Sequence, residues 1–269
     1  MLNKDEIVDF FKLVNSHAKK ELGQNFLINE NIVQSIVDIL DISEEDKILE
    51  IGPGLGALSF EIEKRKFNTF TLVEYDQKFV DFLSRSFDGK ENITIIKNNI
   101  LKEREFGYNK VIGNLPYYIT SDIILKIAIK CDKLEKAVFM VQKECYKRIV
   151  AESGKDYNAL NILLKYLFDI KEEIKVGRDN FFPVPNVDSL VFSLTKKQEK
   201  NVVFAEFLYK IARICFQNRR KTIANNLSSL IKNKDELKEI LIKSGLSENL
   251  RAEQLNLAQF VKLTETIKG

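Results

Sequence analysis

The chain has 269 residues, 45% of them hydrophobic, enough to bury a large core in one domain or in one domain with an appendage. No apolar stretch approaches the roughly 20 residues of a membrane helix, so a soluble protein is expected. A single histidine, His17, and three cysteines without CxxC spacing, Cys131, Cys145 and Cys215, argue against a metal site and for a reducing, cytoplasmic setting. The first residues, with Asp5, Glu6 and Asp9 among lysines, read neither as a secretory signal nor as a transit peptide.

Charge is unevenly spread. Against a net +3, the stretch from Lys196 to Lys232 holds nine Lys or Arg and two Glu, a local +7 that leaves −4 for everything else. Such a stretch is the footprint of a phosphate-contacting face, and equally of a solvated helix surface.

In chain order, Asn29 to Leu40 has the apolar spacing of an amphipathic helix, and Ser43 with Asp46 suggests a turn into the first strand. From Lys47 to Val141 short β-rich runs alternate with helical patterns. Strands are predicted at 47–51, 70–74, 93–97, 110–113 and 136–141, and helices at 58–64, 77–87 and 121–131. That alternation implies a parallel sheet with helices on both faces. Two more strands, at 172–176 and 187–194, are joined by only about ten residues, too few for a parallel crossover, so one antiparallel strand near the sheet edge is expected. Beyond Val202 the spacing is helical throughout. Lys196–Lys200 therefore reads as a polar boundary between a domain of residues 1–196 and a small all-helical domain of residues 197–269.

Three constellations carry chemistry. Glu50-Ile-Gly-Pro-Gly-Leu-Gly56 follows the first strand, and its glycines permit close backbone approach to a ligand. Glu74 closes the next strand 22 positions beyond Gly52, where a carboxylate can meet the ribose hydroxyls of a nucleoside. The turn lacks the lysine of a phosphate-binding loop, which favours S-adenosylmethionine over a cofactor with a pyrophosphate. Asn-Leu-Pro-Tyr at Asn114 to Tyr117 ends a further strand with an amide, a rigid proline and a ring, types suited to holding the amine of a flat base. Phe181 and Phe182, beside Pro183 and Pro185, would taken alone serve to cover a core.

Read together, Gly23-Gln-Asn-Phe-Leu27, the glycine turn, Asn114 to Tyr117, Gln142-Lys-Glu144 and Phe181 to Ser189 resemble, in order and spacing, the ribosomal RNA adenine dimethyltransferases. Asn218-Arg-Arg-Lys221 with Asn225-Asn226, and Arg251 to Leu255, resemble the small-subunit branch of that family, the KsgA type, rather than the related Erm branch that modifies large-subunit RNA. The resemblance implies an α/β fold of the class I methyltransferase, Rossmann-like kind, with a mostly parallel seven-stranded sheet, one antiparallel strand and a helical C-terminal domain. It also implies S-adenosylmethionine-dependent dimethylation of the N6 amine of two adjacent adenines in a hairpin near the 3′ end of small-subunit ribosomal RNA. A role in assembling the small subunit follows, with the precursor of that subunit as partner, no membrane, no metal and a monomeric enzyme. A non-catalytic assembly or transcription factor on the same fold is the reading from another class.

Residue by residue, the resemblance places Asn114, Leu115, Pro116, Tyr117 and Phe181 at the target adenine. The Asn114 amide oxygen and the Leu115 carbonyl would accept its two N–H bonds, and the Tyr117 and Phe181 rings would stack on its faces, each worth roughly 1–3 kcal/mol. Gln24, Asn25, Leu27, Gly52, Gly54, Gly56, Glu74, Tyr75, Asn99 and Ile100, again with Asn114, would surround the cofactor. Where the family commonly carries Asp after its third strand, this chain has Asn98-Asn99, so the cofactor's adenine amine would meet the Asn99 amide oxygen without a charge. Arg219, Arg220 and Lys221 would contact ribosomal RNA.

Overall fold

The computed structural model describes residues 1–18, 24–104, 106–198 and 200–269. The elements in order are α1 (Lys4–Leu13), β1 (Phe26–Leu27), α2 (Glu30–Leu40), β2 (Lys47–Ile51), α3 (Ser59–Ile62), β3 (Thr69–Glu74), α4 (Gln77–Ser86), β4 (Ile93–Lys97), β5 (Lys110–Asn114), α5 (Thr120–Lys130) and β6 (Lys136–Gln142). There follow α6 (Lys143–Ile149), α7 (Ala159–Leu167), β7 (Phe168–Val176), β8 (Phe181–Phe182), β9 (Ser189–Lys196), α8 (Val202–Phe216), α9 (Ile223–Leu227), α10 (Lys234–Lys243) and α11 (Leu257–Lys268).

Seven strands form one sheet in the order β4-β3-β2-β5-β6-β9-β7. β4, β3, β2, β5 and β6 pair in parallel, and β9 runs antiparallel to β6 one place in from the edge. The central strands are apolar almost throughout, as Ile48, Leu49, Val111, Ile112, Ala137 and Val138 at 0% exposure show, because helices cover both faces of a parallel sheet. The chain steps outward from β2 to β3 and β4, then returns to β2's other side for β5. That reversal opens a crevice at the carboxyl ends of β2 and β5, where open α/β sheets bind ligands.

Of the helices that the sequence reading did not anticipate, α1, α6 and α7, two have caps written in the sequence. Asn3 and Glu6 form a reciprocal capping box at the start of α1, with Asn3 Oδ1 accepting from Glu6 N at 3.0 Å. Asn158 and Asn161 do the same for α7. The predicted helix at 58–64 is shorter, Ser59–Ile62, because it ends in i→i−3 bonds from Lys64 and Arg65 that tighten the last turn.

The chain divides into two compact units, Met1–Tyr146 with Ile170–Lys196 and Lys147–Asp169 with Lys197–Gly269. The division after Lys196 falls where the sequence places it, but Lys147–Asp169, expected in the first domain, belongs with the helices. Tyr157, Ala159 and Ile162 lie in the same core cluster as Leu208, Leu227 and Phe260. The Tyr157 hydroxyl donates to the Leu255 carbonyl at 2.9 Å, and buried Asn161 Nδ2 donates to the carbonyls of Arg148 and Ile149 at 2.6 Å. A sequence pattern reads neighbours along the chain, whereas the core partners of Tyr157, Ala159 and Ile162 are about fifty to one hundred residues away.

All three cysteines are free and buried. Burial pushes the thiols of Cys131 and Cys215 up to about 12, although Cys131 Sγ donates to the Tyr108 carbonyl at 2.9 Å. No helix among the described residues is long and apolar enough to cross a membrane.

Candidate active site

At the end of β2 the chain turns through Gly52, Gly54 and Gly56, all left-handed with φ of 64°, 57° and 75°. A β-carbon on Gly52 would meet nothing within 4 Å, so the backbone here fronts open space. Gly52 N–H donates to the Val73 carbonyl at 3.0 Å, and this ties the turn to β3.

Glu74, at the tip of β3, gathers the ends of the two strands. Its Oε2 accepts from Gly54 N at 3.0 Å, and its Oε1 accepts from the N–H groups of Tyr75 and Asp76 at 2.7 and 2.8 Å. Burial raises the pKa of this carboxyl, and the three backbone bonds draw it partly back. Glu50 sits at 2% exposure, and among the described residues only the Ser59 hydroxyl donates to it, at 2.6 Å. Burial pushes its carboxyl up to about 8, and the nearby Glu74 charge adds to the effect.

These groups line a cavity of about 350 Å³ in the crevice between the ends of β2 and β5. Of the expected cofactor residues, Gln24, Asn25 and Leu27 line it beside Gly52 and Gly54. Glu74, Tyr75, Asn99, Ile100 and Asn114 complete the set, with Pro116 from the expected target site. Gly56 does not line it: a β-carbon there would press on Phe60 at 3.0 Å and Leu83 at 3.1 Å, so this glycine serves packing. Gly23 lies outside the described residues. Asn99 Oδ1 already accepts from Leu101 N at 2.9 Å, which leaves one lone pair to offer a ligand.

Asn114 is delivered to the cavity by β5, whose residues 110–112 are buried between β2 and β6. Gly113 is required for this approach, because a β-carbon there would stand 2.7 Å from the Ile51 carbonyl oxygen. Asn114 Nδ2 donates to the Asn25 carbonyl at 3.3 Å, while its Oδ1 has no partner among the described residues. Leu115 is 1% exposed and its N–H donates to the Met140 carbonyl at 3.0 Å; its own carbonyl takes no hydrogen bond among the described residues. Tyr117 is half-buried beside the side chains of Asn25 and Ser189, and burial raises the pKa of its phenol while these two polar neighbours lower it. The Ser189 oxygen makes no hydrogen bond among the described residues.

Two expectations need correction. Phe181 is 1% exposed and packs in the main core with Leu27 and Val191, so no face of its ring is open to a base in this arrangement. The bland reading of that residue, a cover for the core, is the one that holds. Arg219 is committed inside its own unit: it donates to the carbonyls of Tyr157 and Gly154 at 2.8 and 2.7 Å and to Glu253 at 3.0 Å. Arg220 and Lys221 are exposed.

Sequence reasoning missed part of the wall. Met1, Leu2 and Ile7 line the cavity, brought there by α1, whose Phe11 packs on Phe26 and Phe79. The capping box at Asn3 was the available signal for that helix. Glu50, the first residue of the glycine-turn run, gains a larger place from its burial beside Glu74. Tyr118, 61% exposed, also reaches the rim. The carboxylates of Glu50, Glu74 and Asp76 line the cavity, and no Lys, Arg or His side chain does so among the described residues. Such a site disfavours a pyrophosphate and favours a cationic ligand.

Comparison with known proteins agrees with this geometry. Residues 15–268 match the family model described as ribosomal RNA adenine dimethylase. The chain is 38% identical over 259 residues to the ribosomal RNA small subunit methyltransferase A of Fusobacterium nucleatum, covering 93% of this chain and 98% of that protein. It is 41% identical over 261 residues to the protein of the same name from Mycoplasma mycoides, covering 91% and 96%. Among solved structures, a dimethyladenosine transferase from Plasmodium falciparum superposes with a TM-score of 0.75 at 24% identity, over 88% of this chain and 95% of that one. The 23S rRNA methyltransferase ErmE superposes with a TM-score of 0.67 at 24% identity, over 91% and 100%. These two likenesses speak to the fold alone.

Proposed function

Because the chain belongs to the ribosomal RNA adenine dimethylase family, we propose that it dimethylates the N6 amines of two adjacent adenines in a 3′-terminal hairpin of small-subunit ribosomal RNA, using S-adenosylmethionine. The observation that carries this reading is a cavity whose charged side chains, among the described residues, are all acidic, meeting an amide oxygen on Asn114 that has no partner among those residues. The curated relatives named for the small subunit favour that branch over the large-subunit one.

The residues fit S-adenosylmethionine. The open space in front of Gly52 admits close backbone approach, Glu74 holds one remaining acceptor position for ribose, and Glu50 offers a buried carboxylate to a cation. When bound, that cofactor supplies an electrophilic methyl on a positively charged sulfur. The chain's own residues then do the positioning. Asn114 Oδ1 and the Leu115 carbonyl accept the two N–H bonds of the adenine amine, which turns its lone pair away from the ring and toward the methyl. Tyr117, whose phenol lies beside Asn25 and Ser189, serves as the stacking partner that Phe181 does not supply. No strong general base is needed, because the amine is neutral and its geometry is what must change.

The enzyme works in the cytoplasm as a monomer on a precursor of the small subunit, a setting that suits its three reduced, buried cysteines. The test is to incubate the protein with radiolabelled S-adenosylmethionine and small- or large-subunit particles lacking the modification, and to map labelled adenines by mass. Label on paired adenines of the small-subunit RNA is expected. Label confined to large-subunit RNA would replace this reading with the Erm-like one, and no label on either would leave a binding factor.

A further inference from the structure

The helical unit carries a groove of its own, about 560 Å³, to which no role has been given above. One wall is the end of α7, with Lys165 and Tyr166, and the segment after β9 adds Lys197 and Lys200. α11 supplies an apolar floor and, at the rim, Lys262 and Glu265. Four lysines thus face one glutamate.

The lysines are not equivalent. Lys165 is paired with Glu152 at 2.5 Å, and Lys197 lies 3.6 Å from Asp169 and donates to the Lys165 carbonyl at 2.7 Å. Lys200 and Lys262 have no carboxylate partner among the described residues. Lys200 Nζ lies 4.9 Å over the Tyr166 ring, which in turn packs on Phe204 at 5.4 Å, and Lys268 Nζ sits 6.0 Å over Phe204. Cations and rings therefore alternate along one strip, and the Tyr166 hydroxyl makes no hydrogen bond among the described residues.

We infer that this groove binds an RNA strand, with backbone phosphates on Lys200 and Lys262 and a ribose or base against Tyr166. The inference rests on the functional reading above. Unpaired ammonium groups flanking a ring over an aliphatic floor match the alternation of phosphate and flat base along a single strand. A membrane surface would need apolar side chains that project outward, and here the apolar residues form the bottom of a depression. The basic stretch read from the sequence thereby gains a second anchoring point, made partly by α7 and α11, which lie outside it.

The test is the double variant Lys200→Ala/Lys262→Ala in the full chain, with binding to a small-subunit RNA fragment followed against salt. The logarithmic salt slope should fall by ~1.4 and affinity by roughly tenfold at 0.15 M salt, as the loss of two single-strand phosphate contacts predicts. Thermal melting and S-adenosylmethionine affinity should be unchanged, and Lys200→Arg/Lys262→Arg should bind as the wild type does. Tyr166→Leu should weaken binding without changing the slope. An unchanged slope and affinity in the alanine variant overturn the groove. If the slope falls as expected but the wild-type enzyme leaves small-subunit RNA unmethylated, the groove stands and the functional reading is the part that fails. Loss of binding to anionic vesicles with RNA binding intact also overturns the inference.

Discussion

Asn114 Nδ2 donates to the Asn25 carbonyl, and this single bond decides that the oxygen end of the Asn114 amide is left for a ligand. Asparagine is a donor and an acceptor at once, and a substrate amine needs only the acceptor. The two partners are 89 positions apart in sequence, which puts the orienting group on a different element from the group it orients.

Asn114→Ala should therefore slow methyl transfer at least a hundredfold, the loss of ~3 kcal/mol expected for one oriented transition-state partner. Cofactor affinity should stay near its normal value. Single-turnover methylation of the RNA together with calorimetric titration of the cofactor checks both halves, and a normal rate would take Asn114 out of the chemistry.

Cofactor binding should depend on pH through Glu50. Its carboxyl titrates at about 8 in the fold against 4.5 ordinarily, so the folded chain keeps a proton that the unfolded chain gives up. The stability this group contributes is complete below about pH 4.5 and is lost as pH rises to about 8, by at most ~1.4 kcal/mol per pH unit. A cationic ligand prefers the ionised carboxylate, so affinity for S-adenosylmethionine should rise between about pH 6 and pH 8.5, with a proton released on binding. The other titratable group that acts on Glu50 is Glu74, and the Ser59 hydroxyl is its hydrogen-bond donor. Titrations in buffers of different ionisation enthalpy measure the proton. The variant Glu50→Gln should show a flat profile, and a pH-independent wild type would remove Glu50 from ligand recognition.

Gly52→Ala and Gly113→Ala should fail differently. At Gly52 the added methyl meets no atom, so the cost to folding is the left-handed backbone, about 1–2 kcal/mol, and the larger effect is on cofactor affinity. At Gly113 the methyl would stand 2.7 Å from the Ile51 oxygen, so β2 and β5 must part and stability should fall by ~1–3 kcal/mol or more. Melting curves rank the two variants for stability and titration ranks them for binding; the opposite ranking would contradict the assigned roles.

The basic run should split in the same way. Arg219→Ala leaves two carbonyls and Glu253 without their donor, and because the pair is about one-third exposed the cost should be only ~1–2 kcal/mol. Arg220→Ala/Lys221→Ala should leave melting unchanged and lower the salt slope of RNA binding by up to ~0.7 per lost contact. If the double variant binds RNA with the normal slope, these two side chains are a solvated face and nothing more.

Much of the site was legible because it is local. The glycine turn, Glu74 and Asn114 each sit at the end of a strand that its own apolar run announces, and the β-α alternation brings those ends together. What was illegible is set by partners remote in sequence. Nothing near Phe181 says which way its ring turns, since that depends on pairing with Leu27, about 150 residues earlier. Arg219 stands in a run of cations that pattern reading treats as one surface, yet its three acceptors come from Gly154, Tyr157 and Glu253. The N-terminal wall of the cavity does carry a local signal, because Asn3 and Glu6 announce the helix that builds it.

The cysteines carry a practical consequence. A maleimide or a spin label reacts with thiolate at an accessible sulfur, and here all three thiols are enclosed, with Cys131 and Cys215 held at about 12. The native chain is thus a silent background for conjugation. A single cysteine placed at exposed Lys221 or Ile242 can take a fluorophore in the wild-type framework, so distances during RNA docking become measurable without first stripping sulfur from the core.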